Sequence, residues 1–90
     1  MCRVAGDSML PTLKNGDIVV VDPRATVCVG NIVAADHPYK RSVKLIKRVH
    51  SINSDGRYVL TGDNPEASSD SRSFGSIAGS DIAGKVVCRI

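Results

Sequence analysis

Ile18-Val19-Val20-Val21 is a β-branched run closed in by Asn15-Gly16-Asp17 on one side and Asp22-Pro23 on the other. Such side chains are stiff against a helical turn but fit a pleated surface, so the run predicts a strand between two turns. The same punctuation recurs along the chain. Cys28-Val29-Gly30-Asn31-Ile32-Val33-Ala34-Ala35 predicts a second strand, with Gly30 as a bulge or bend. Ser42 to His50 predicts a third, and Ser54-Asp55-Gly56 a hairpin turn into a fourth over Arg57 to Thr61. Gly84 to Ile90 predicts the last. Helical signal is confined to single turns at Pro11 to Lys14 and Gly79 to Ala83, the latter with Ser80 or Asp81 as a cap. The expected fold is all-β, a small barrel or two packed antiparallel sheets.

Ninety residues predict one domain, 1–90, with a modest core. With no Trp, one Phe and two Tyr, that core must be aliphatic. Cys2, Cys28 and Cys88 are odd in number and lack CxxC spacing, which argues against a disulfide framework and a zinc site. They are expected to be small buried or half-buried thiols in a reducing compartment. The net charge of +3 comes without an aromatic stacking platform or a long basic run, so a nucleic-acid partner is not expected. The apolar runs fall far short of the ~20 residues of a membrane span. Met1 also lies too close to Ser8 for a leader. A cytoplasmic location is therefore expected, with membrane contact only if an N-terminal anchor is missing from the chain.

Gly6-Asp7-Ser8-Met9-Leu10-Pro11-Thr12 sets a serine on a short turn. A serine hydroxyl needs a base to remove its proton as it attacks. His37 lies in a turn before Pro38 and His50 near a strand end, and neither has a motif around it. A lysine base needs a pKa lowered from ~10.4 toward neutral, and burial among apolar groups does this. Period-2 alternation puts Val43, Leu45, Lys47 and Val49 on one strand face and Lys44, Ile46 and Arg48 on the other. Lys47 thus interrupts an aliphatic face and is the candidate base, while Lys44 and Arg48 read as solvated or paired. The Ser8 turn offers main-chain N–H groups to a developing oxyanion, with that of Ser8 the natural donor. Asp7 is expected to point away or to cap the turn. The polar stretch from Gly62 to Ser76 reads as a long surface loop of the functional kind.

These residues resemble the type I signal peptidase family of serine–lysine proteases. Gly6 to Leu13 with Gly16-Asp17 is similar to its nucleophile box, and Ile46-Lys47-Arg48-Val49 to its general-base box. Gly62-Asp63-Asn64 with Ser68-Ser69-Asp70-Ser71-Arg72 is similar to its third box, and Gly30-Asn31-Ile32-Val33 to the intervening strand, with Asn31 for the usual Asp. The resemblance implies a signal-peptidase-like core of coiled antiparallel sheets or a partly open barrel. It implies Ser8 as nucleophile, Lys47 as general base and later acid, and Ser68 as the group orienting the lysine amine. It further implies an Asp70–Arg72 ion pair near the site, support of the base strand by Arg48, and no metal or other cofactor. Some members use a hydroxyl two residues before the nucleophile as an oxyanion donor, which Gly6 cannot supply.

The stretch from Gly62 to Gly75 is most similar to the branch that matures nickel-type superoxide dismutase. The expected substrate is then a precursor protein whose N-terminal extension is removed. Three alternatives stand beside it. One is a membrane signal peptidase or an organelle inner-membrane peptidase without its anchor. Another is a self-cleaving repressor, which the Gly62 to Arg72 box argues against. The last is a non-catalytic basic β-barrel that binds a partner.

Overall fold

The computed structural model describes residues 1–40, 44–64 and 75–90. Six strands form in chain order: β1 (Cys2–Arg3), β2 (Ile18–Asp22), β3 (Ile32–Asp36), β4 (Lys44–Ile52), β5 (Tyr58–Thr61) and β6 (Ile82–Arg89). They make one open sheet in the order β1-β2-β6-β3-β4-β5, with every neighbouring pair antiparallel. Among the described residues the helical content is a single 3-10 turn, Gly79–Asp81. The all-β expectation holds, as one sheet rather than a closed barrel or two sheets.

β6 is the strand that bends this sheet. It pairs β2 on one side and β3 on the other, and its register slips once against each: between Val20 and Val21, and between Ala34 and Ala35. Each slip leaves an extra residue on β6, which bends the strand and increases its twist. At the centre, β3 and β4 are covered on both faces. Val33, Ala35, Leu45 and Val49 pack with Leu60 and Ile77 on one side. Ala34 and Ile46 pack on the other with Val4, Met9, Leu13 and Val19. The core is aliphatic, as the composition requires.

Three local expectations shift. The strand predicted from Cys28 starts at Ile32, because Gly30 (φ +92°) and Asn31 complete a turn first. Within that turn the Cys28 and Asn31 N–H groups donate to the Asn31 side chain and the Cys28 carbonyl, at 2.8 and 3.0 Å. β4 does not stop at His50 but passes through a register slip there and runs on to Ile52. Cys2 is half-buried as expected, whereas Cys28 and Cys88 are exposed, one in this turn and the other at the open end of β6.

Gly84 marks the tightest approach of β6 to β2. A Cβ there would lie 2.7 Å from the Asp22 carbonyl oxygen and from Val21 Cγ1, and the backbone atom cannot move aside. Gly84→Ala should cost about 2 kcal/mol as an overpacked substitution. In a chain this small that lowers Tm by roughly 10 °C, which thermal unfolding followed by circular dichroism would register.

Candidate active site

The turn bearing Ser8 is fastened from beneath. Met9, the next residue, is fully buried, and Leu13 one turn on is buried beside it. Both belong to the cluster under β2, β3 and β4, so the core fixes where the serine sits. The Leu10 N–H donates to the Asp7 carbonyl (3.2 Å) and the Leu13 N–H to the Met9 carbonyl (2.9 Å), so the chain turns over residues 7–13, earlier than the Pro11 to Lys14 helical turn expected. Gly6 enters it at φ +82°, a conformation open to glycine, and its N–H donates to Asn15 Oδ1 at 2.9 Å. That N–H is engaged on Asn15.

Lys47 lies in the middle of β4, opposite Val33 of β3, and is 5% exposed. It is the one buried charged or polar residue among the described residues. The alternation read from sequence holds for its face, since Leu45 and Val49 are buried in the same cluster. Ile46 lies on the opposite face, as the alternation has it, and is buried there because the residue 4–13 segment covers that face. Lys44 is exposed and pairs with Asp36, its cross-strand neighbour, which raises its pKa through that hydrogen bond.

Ser8 and Lys47 meet at one cleft of about 160 Å³, lined also by Val4, Ala5, Lys44, Leu45 and Ile46. The cleft follows from strand lengths. β5 pairs β4 only from Arg48 onward, so among the described residues no strand covers the β4 edge at Lys44–Lys47 opposite β3. Among the described residues its lining is apolar apart from Ser8 and the two lysines.

Next to Lys47, Arg48 joins the third box to the base strand. Its guanidinium donates from Nε and Nη2 to both carboxylate oxygens of Asp63, at 2.8 and 2.7 Å, and from Nη1 to the Gly30 carbonyl at 2.7 Å. Thr12 Oγ1 donates to the same carboxylate at 2.6 Å. Asn64 continues the connection to Ser8: its N–H donates to the Ser8 carbonyl (2.8 Å) and its Nδ2 to the Asp7 carbonyl (3.1 Å). The hydrogen bonds from Arg48 foremost, and that from Thr12, hold the Asp63 carboxyl below its ordinary pKa. The same pairing raises that of Arg48.

Of the residues singled out from sequence, Ser8, Lys47, Arg48, Asp63 and Asn64 fall together, with Gly62 leading into the Asp63-Asn64 pair. Ser68, Asp70 and Arg72 lie outside the described residues. Asp7 contributes through its carbonyl, within the turn. Thr12 and the Gly30 carbonyl were not foreseen as part of the site. Thr12 follows Pro11 in the nucleophile segment, and that position was the sole signal available for it.

The family model described as Peptidase S24-like matches residues 1–87. A curated relative, mitochondrial inner membrane protease subunit 1 of Xenopus tropicalis, is 30% identical over 109 residues, covering 96% of this chain. The chain spans 65% of that relative's length. No solved structure matches.

Asp63→Asn imitates the protonated carboxyl and removes the charge from the Arg48 fork. The expected loss is about 2 kcal/mol near neutral pH, the scale of hydrogen bonds to charged groups. A depressed native pKa means this stabilisation is complete above the ordinary carboxylate value of ~3.9 and fades as pH falls through the native one. Urea unfolding of the two proteins from pH 7 downward should therefore show a difference that closes in acid.

Proposed function

Since the chain belongs to the Peptidase S24-like family, we propose that it is a serine endopeptidase working through a Ser8–Lys47 dyad. The observation that supports this reading is the cleft lined by both Ser8 and Lys47, the latter buried. Ser8 Oγ attacks the scissile carbonyl while Lys47 Nζ takes its proton, and the Ser8 N–H faces the developing oxyanion. The tetrahedral intermediate collapses to an acyl-enzyme as the Lys47 ammonium hands that proton to the leaving amine. Lys47 then deprotonates a water that attacks the ester, and returns the proton to Ser8. Ser68 is the candidate to orient the amine, with Asp70 and Arg72 pairing nearby.

The substrate in this reading is a precursor that loses an N-terminal extension. The likeness of Gly62 to Gly75 to the nickel-type superoxide dismutase maturation branch favours that precursor and a cytoplasmic setting. The inner membrane protease relative favours a second reading, a precursor processed beside a membrane. Among the described residues no helix is long and apolar enough to cross one.

Incubation with both classes of precursor separates them, each compared with Ser8→Ala and Lys47→Ala. One cut, reduced about 10⁴-fold or more by either change, is the expected result. Cleavage that survives Ser8→Ala would remove the serine from the mechanism. The rate should climb with pH as the base loses its proton, with an apparent pKa well below the ~10.4 of a free lysine. A pH–rate profile with its midpoint at the free-lysine value would exclude Lys47 as base.

A further inference from the structure

Asn64 holds both peptide groups that flank the nucleophile. Its main-chain N–H takes the Ser8 carbonyl at 2.8 Å, and its side-chain Nδ2 takes the Asp7 carbonyl at 3.1 Å. The second contact bears on the chemistry. The Asp7 carbonyl and the Ser8 N–H belong to one planar trans peptide group, in which they point in opposite directions. Whatever pins the Asp7 oxygen therefore aims the Ser8 N–H. The Asp7 oxygen also accepts from the Leu10 N–H at 3.2 Å, so it takes two hydrogen bonds. Accepting hydrogen bonds at the oxygen polarises the peptide and strengthens its N–H as a donor. The Gly6 N–H is committed to Asn15 Oδ1, which places more of the oxyanion's stabilisation on Ser8.

We propose that Asn64 is a positioning residue for the oxyanion donor: through the Asp7 carbonyl it orients and polarises the Ser8 N–H that receives the negative charge of the tetrahedral intermediate. This rests on the Ser8–Lys47 mechanism and adds to it a residue that acts through the Asp7–Ser8 peptide. Asp63, one residue earlier, anchors Asn64 by its fork with Arg48 and its bond from Thr12. The donor's aim is thus fixed from the third box rather than from the nucleophile turn alone.

An interaction made only with the intermediate shows in kcat and not in KM. Asn64→Ala, which keeps the main-chain bond to Ser8, should lower kcat about 10-fold with KM unchanged, a fraction of the loss when an oxyanion donor is deleted outright. Asn64→Asp, equal in size but turning a carboxylate oxygen toward the Asp7 carbonyl, should lose more. It also supplies the readout if the alanine variant does not fold. A peptide boronate of the cleaved sequence, which forms a tetrahedral adduct on Ser8, should bind about 10-fold more weakly to Asn64→Ala, whereas the product peptide binds equally. The pH–rate midpoint should stay where it is, since Lys47 is not addressed. Unchanged kcat and boronate affinity, an equal loss of product binding, or a moved midpoint would each overturn the assignment. Turnover that requires Ser8 and Lys47 but ignores Asn64 overturns this inference alone. Absent turnover, or turnover indifferent to Ser8→Ala, overturns the dyad and this inference with it.

Discussion

The fork between Arg48 and Asp63 is the contact on which the arrangement of this molecule turns. Arg48 follows the buried lysine, Asp63 precedes the asparagine that grips the Ser8 turn, and Thr12 closes on the same carboxylate from that turn. One ion pair thus relates three segments far apart in sequence. A planar guanidinium suits the task because its donors leave in fixed directions, here to two carboxylate oxygens and the Gly30 carbonyl. A lysine in its place would supply charge without that geometry.

A nine-residue β4 beside a four-residue β5 leaves one strand with two environments. Its first half pairs with β3 and presents its other edge to a cleft, its second half pairs with β5, and the two ladders overlap at Arg48. The aliphatic packing on each face of β3 and β4 makes the site rigid without large aromatic residues. Small β-branched side chains suffice because the residue 4–13 segment folds over one face and Ile77 returns over the other.

Much of this was legible in the residues themselves. The runs around Val19, Val33, Leu45 and Val86 announced strands because β-branched residues alternate with turn-forming ones, and period 2 alone separated Lys47 from Lys44. The misses share a cause: they depend on what lies opposite a residue. That Met9 and Leu13 cover the face of Ile46 is something nothing in its own strand says. The extra residues on β6 and the slip at His50 are settled between strands, so no single strand displays them. Thr12 and the Gly30 carbonyl entered the site by distance in space, which spacing in sequence does not encode. β1, two residues long, is too short to have a periodicity of its own.

The burial of Met9 has a consequence for how such a site can diversify. A serine whose neighbour is a core side chain cannot shift without reopening the interior, so Ser8 is as fixed as the hydrophobic cluster below it. Room for variation remains at exposed cleft residues such as Ala5 and Lys44. Fixed and variable positions around the cleft thereby fall in different layers of the same small sheet, one locked into the interior and one left at the surface.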